Sequence, residues 1–123
     1  MIDHISVAVR DLEASTRFYE AVLATLGFAK LDTRPATVGF GKTYPEFWIN
    51  LRPTVEVSSG SHVCFRARST DMVDGFHAAA LANGGADDGK PALRPQHGEG
   101  YYAAFVRDPD GNRIEAVTFV GKT

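Results

Sequence analysis

Apolar and polar residues alternate in the stretch DHISVAV that starts at Asp3, with Ile5, Val7 and Val9 in one phase and His4, Ser6 and Ala8 in the other. Period-two alternation of this kind predicts a half-buried β-strand. The period then changes. In LEASTRFYEAVLATLG, Leu12, Phe18, Tyr19, Val22, Leu23 and Leu26 recur at helical spacing, with Asp11 or Ser15 to cap the helix and Gly27 to stop it. The same succession returns in HVCFRA at His62 and in MVDGFHAAALANGG at Met72. There Met72, Val73, Phe76, Ala80 and Leu81 form the apolar face, Thr70 or Asp71 precedes it, and Gly84 and Gly85 close it. His77 reads as a surface residue of that helix.

The chain is therefore an internal repeat. Setting His4 on His62 gives an offset of 58, which also matches Phe18 with Phe76 and Gly27 with Gly85. Later strands match at an offset of 65, setting Phe40 on Phe105, Ile49 on Ile114 and Asn50 on Glu115. The second copy thus needs seven extra residues, placed in DDGKPALRPQHGEG. DPDGN is a turn, because Pro109 presets φ while Gly111 and Asn112 tolerate left-handed angles. Each half reads β-α-β-β-β, an α+β pattern. One domain over 1–123 is expected, with module one at about 1–55, module two at about 61–121, and a linker at 54–61.

Strand phase also sorts side chains by face. Ile5, Val7, Val9, Phe47, Ile49, Leu51, Val63, Phe65, Ala67, Ile114 and Ala116 should pack under the helices. His4, Trp48, Asn50, Arg52, His62, Cys64, Arg66, Arg113, Glu115 and Val117 then share the opposite face. Two imidazoles and one carboxylate form a ligand set that leaves positions open on Fe(II), Mn(II), Ni(II) or Zn(II). His4, His62 and Glu115 are the candidate ligands of such a divalent metal. His97, in a glycine-flanked loop, is a candidate for proton transfer. One of Tyr101 and Tyr102 must face the same side and could donate to a substrate oxygen. Trp48, Asn50, Arg66 and Arg113 are candidate substrate contacts, suited to a small anion with an apolar body.

Composition narrows the classes. With 44% hydrophobic and 23% charged residues and a net charge of −2, the chain has no basic block for nucleic acid or a membrane surface. Its apolar runs are too short for a bilayer, and its start lacks signal-peptide regions. The single cysteine, Cys64, excludes an internal disulfide and fits a reducing compartment, so a cytoplasmic location is expected.

The stretches DHISVAVRDLEASTRFYEAVLATLGF and FVRDPDGNRIEAV, within this paired arrangement, resemble the vicinal oxygen chelate superfamily over residues 2–118. That superfamily includes glyoxalase I, fosfomycin-resistance thiol transferases, extradiol dioxygenases and metal-free bleomycin-binding proteins. The resemblance implies two cupped mixed sheets with helices on the convex side. It also implies His4, His62 and Glu115 at the metal positions, and a homodimer. Asn50 stands where glyoxalase I carries a glutamate, which speaks against that reaction. The expected function is a metal-dependent enzyme on a small oxygenated molecule, of lyase or isomerase, thiol-transferase or dioxygenase type. The alternative is a metal-free protein that binds a small molecule in the same cup.

Overall fold

The computed structural model describes residues 1–121; residues 122 and 123, the end of the expected domain span, lie outside the described residues. Each half does form strand, helix and three strands. The first has β1 (Ile5–Val9), α1 (Leu12–Ala24), β2 (Ala29–Thr33), β3 (Thr37–Gly41) and β4 (Pro45–Leu51). The second has β5 (Val63–Arg66), α2 (Thr70–Ala82), β6 (Ala86–Leu93), a 3-10 turn (Pro95–His97), β7 (Tyr101–Arg107) and β8 (Arg113–Phe119). Two mixed sheets result, ordered β1-β4-β3-β2 and β5-β8-β7-β6. The outer pair of each, β1 with β4 and β5 with β8, is parallel, and every other pair is antiparallel.

The helices start where a side chain can accept their free amides. Asp11 accepts from the Ala14 amide, and Ser69, one residue ahead of the expected position, accepts from Met72. Under the helices, Phe18, Tyr19, Phe40 and Ile49 from the first half share one buried cluster with Phe76, Val106 and Ile114 from the second. Gly85 allows the close approach: a Cβ there would lie 2.7 Å from the Phe18 ring and 2.8 Å from the Arg107 carbonyl. The extra length of the second half sits in the long β6 and the 3-10 turn.

Four expected positions are corrected. Ile5, Leu51 and Leu81 are exposed, the first two at strand ends and the third on the outer flank of α2. His77 is buried instead, and its Nε2 meets Asp87 Oδ1 on β6 at 2.8 Å. A carboxylate on the neighbouring strand satisfies the imidazole there, so this polar side chain can occupy the inner face of the helix.

Pairing register also corrects the repeat. Ser6 pairs with Trp48 and Cys64 with Glu115. From Ser6 to Cys64 the offset is 58, but from Trp48 to Glu115 it is 67, not 65. The structural counterpart of Glu115 is therefore Trp48, and Asn50 corresponds to Val117. A slip of two residues preserves strand phase, which is why the alternation could not reveal it.

The two halves are joined through the β7–β8 turn. Asp108, 3% exposed, accepts hydrogen bonds from the Asp110 and Asn112 amides, the Asn112 side chain and the Tyr19 hydroxyl of α1 (2.7 Å). Asn112 Nδ2 also donates to the Ala8 carbonyl of β1 (2.9 Å), and Asp110 accepts from the Arg10 amide (3.0 Å). Gly111, at φ +91°, permits the tight turn. Asp108→Ala strands these donors and should cost about 3 kcal/mol in urea unfolding, whereas Tyr19→Phe should cost about 1 kcal/mol. Equal effects of the two would show that the turn does not depend on the carboxylate.

The His77–Asp87 contact gives a pH signature. Hydrogen bonding to His77, then to the Gly89 amide, holds the Asp87 carboxyl below its ordinary 3.8. A depressed acid stabilises the fold above its unfolded value, and that contribution is lost as pH falls through the folded value. The Asp87 carboxyl should therefore titrate below 3.8 by NMR, and His77→Leu should return it toward the ordinary value.

Candidate functional site

On the concave face of the second sheet, β8 carries Glu115, whose exposure is 1%. A carboxylate this deeply buried costs free energy unless its oxygens are occupied. Both are. His62, just before β5, meets Oε1 through Nε2 at 2.8 Å, and the Tyr101 hydroxyl of β7 donates to Oε2 at 2.5 Å. The pleat explains the meeting: Cys64 lies directly across from Glu115, so His62, two residues earlier, shares its face on the adjacent row. Burial, the hydrogen bond to Glu115 and its charge raise the Tyr101 phenol well above its ordinary range, so it stays a donor. Burial and the Glu115 charge likewise push the Cys64 thiol up to about 12, although the residue as a whole is exposed.

Aromatic rings surround this carboxylate. Phe105 is its cross-strand neighbour, 6.2 Å from the His62 ring between centroids. His97, ending the 3-10 turn, lies 5.3 Å from the Tyr101 ring and 6.5 Å from Phe105. The Arg94 guanidinium sits 5.3 Å over Phe105, and that of Arg66 sits 4.8 Å over Phe119. Cationic groups over aromatic faces make a wall suited to an anion with an apolar body.

The concave face of the first sheet is different. A cavity of about 480 Å³ is lined there by His4, Ser6, Trp48 and Asn50, with Asp3, Tyr44 and Arg34 at its rim. His4 Nδ1 donates to Asp3 Oδ2 at 2.7 Å, which leaves Nε2 as the nitrogen with a free lone pair. That bond lowers the Asp3 carboxyl below its ordinary value. Asn50 Oδ1 accepts from Thr37 at 2.6 Å, so its amide donor is the end left for a ligand. Arg34, paired with Asp32, covers Trp48 at 5.0 Å.

The expected ligands are thus brought together in part. His62 and Glu115 touch, while His4 belongs to the other sheet, and among the described residues no three His, Cys, Asp or Glu side chains converge on one point. Of the tyrosines, Tyr101 faces the site, but it donates to Glu115. Tyr102 turns to the helix side, where its hydroxyl bonds Asp74 of α2 at 2.6 Å, and is removed from the candidate catalytic set. Arg113 is committed to Asp88 and to the Ser59 carbonyl of the linker, so it is not a free anion clamp. Sequence reasoning missed Asp3, Arg34, Arg94 and Phe105. Phe105 had a signal, since it shares its strand phase with Tyr101; Arg94 and Arg34 had none, because strand ends carry no reliable phase.

Comparison with known proteins agrees with this architecture. The family model described as Glyoxalase/Bleomycin resistance protein/Dioxygenase superfamily matches residues 1–116. A crystal structure of a glyoxalase/bleomycin resistance protein from Albidiferax ferrireducens T118 is 36% identical, covers 94% of this chain and 96% of its own, and superposes with a TM-score of 0.86. The YqjT protein of Bacillus subtilis (strain 168) is 29% identical over 93% of this chain and 95% of its own length. The fosfomycin resistance protein FosX of Listeria monocytogenes shares the fold, with a TM-score of 0.72 at 18% identity, covering 95% of this chain and 91% of its own.

The raised thiol gives a direct check on the electrostatics of this face. At pH 8, Cys64 of metal-stripped protein should alkylate with iodoacetamide at least ~100-fold more slowly than free cysteine, because the thiolate is the nucleophile. Glu115→Gln should accelerate it. A wild-type rate near that of free cysteine would refute the assignment.

Proposed function

Because the chain belongs to the Glyoxalase/Bleomycin resistance protein/Dioxygenase superfamily, we propose that it is a metal-dependent enzyme acting on a small, oxygenated, anionic substrate. The carrying observation is the fully buried Glu115 on a concave sheet face, held against the imidazole of His62. Donor chemistry suits a borderline divalent cation, Fe(II), Mn(II), Ni(II) or Zn(II), which would replace the proton that His62 and Glu115 share. A cation held there supplies Lewis-acid polarisation of substrate oxygens.

His4 is the third donor, contributed by a second copy of the chain. The support is that His4 and the His62–Glu115 pair lie on separate sheets and do not converge within one chain among the described residues. The protein is thus a homodimer in which module one of each copy faces module two of the other. Asp3 holds the His4 ring with Nε2 available. Trp48, the counterpart of Glu115, cannot ligate or act as a base, so the site lacks the second carboxylate that glyoxalase I chemistry uses. The Arg66 and Arg94 guanidiniums offset the substrate charge, and His97 at the rim moves protons. Reaction classes left by these residues are thiol transfer, ring cleavage, and lyase or isomerase chemistry with the base at His97. With its single cysteine, the protein is assigned to the cytoplasm.

A second reading, a metal-free binding protein, is favoured by one observation: His62, Tyr101 and Glu115 already satisfy one another. Metal titration separates the two. Metal-stripped protein should bind about one divalent cation per chain, and His4→Ala, His62→Ala or Glu115→Ala should each abolish it. Mixing the His4→Ala and Glu115→Ala chains should restore about a quarter of the sites, since each mixed dimer has one cup free of both changes. No binding to wild type leaves the metal-free reading. Binding by wild type without restoration on mixing places each cup within one chain.

A further inference from the structure

We propose that Tyr101 is a positioning residue for Glu115, its hydroxyl reserving Oε2 so that the carboxylate presents Oε1 alone, on the side of His62. This rests on the metal-dependent reading above. Tyr101 lies four residues before Phe105, the cross-strand neighbour of Glu115, so its ring must run along the sheet to reach the carboxylate. Packing sets that course. Phe119 meets the Tyr101 ring edge-on at 5.5 Å, and the His97 ring lies against it at 5.3 Å. The phenol hydroxyl is the donor in this contact, because a carboxylate oxygen only accepts.

His62 and the Tyr101 hydroxyl each meet one oxygen of Glu115, and the Cys64 thiol lies beside the carboxylate from across the sheet. If His62 and Glu115 held a cation, the first of these contacts would give way to it and the second would stay. Tyr101 then becomes the contact that stops the carboxylate from turning about its terminal torsion. With Oε2 occupied by Tyr101, Glu115 would offer a cation Oε1 alone and leave more room for substrate oxygens. Tyr101 would thereby hold Glu115 in its ligating pose and set the room for a two-oxygen chelate.

The test is Co(II) and Zn(II) binding to metal-stripped protein, followed by calorimetry and by the visible absorption of the Co(II) form. Tyr101→Phe should bind both ions about tenfold more weakly and change the intensity of the Co(II) bands as coordination alters. Tyr102→Phe, which removes a hydroxyl from the helix side, should leave affinity and spectrum unchanged. A folded Tyr101→Phe protein with wild-type affinity and spectrum overturns the inference. If that variant does not fold, proton NMR of the wild type decides. A hydrogen-bonded Tyr101 phenolic proton that survives Zn(II) loading supports the assignment, and its loss to solvent exchange overturns it. Wild-type protein that binds neither ion overturns the metal reading itself, and this inference with it.

Discussion

Asp108 is the constraint on which the arrangement of the two halves depends. A buried carboxylate is tolerated only when its charge is met, and here four donors meet it. Burial still holds its carboxyl above the ordinary value, with the hydrogen bonds pulling the other way. Three donors belong to the turn between β7 and β8 and one to α1 of the other half. The same contact that shapes the turn therefore fixes the first helix against the second sheet. Because Asn112 also reaches the Ala8 carbonyl, β1 is held beside that turn as well. The shared core under both helices, with Phe47 packed edge-on against Phe65 at 5.2 Å, completes the junction.

That junction leaves the concave faces free to differ, and they do. Both sheets descend from one strand plan, yet the position that carries Glu115 in the second carries Trp48 in the first. One face thus holds a buried carboxylate with an imidazole and a phenol. Its counterpart holds an indole under a guanidinium, with a histidine fixed by Asp3. In the proposed reading this asymmetry has a use: one wall would supply most of the donors, the other a single imidazole and an apolar surface for the substrate. A symmetric pair would place two carboxylates in the cup and raise its negative charge, against the binding of an anion.

Much of this was legible along the chain. Strand and helix periods, the Asp11 cap and the turn at DPDGN follow from local chemistry, so the β-α-β-β-β order of both halves could be read directly. So could the phase of His4, His62 and Glu115, because neighbours on a strand must alternate. Register could not. A slip of two residues costs nothing in phase, and only cross-strand pairing showed that Trp48, not Asn50, is the counterpart of Glu115. The fate of YYAAF was equally closed to the sequence, since its uniform apolarity gives no preferred face; the structure turned Tyr101 to Glu115 and Tyr102 to Asp74. His77 was hidden for another reason: its burial depends on Asp87, a partner on the next strand that no helical pattern reveals. Sequence alone determined which elements form and how strand neighbours alternate, because those depend on near neighbours. Tertiary structure decided which faces meet and in what register, because those depend on contacts between residues far apart in the chain.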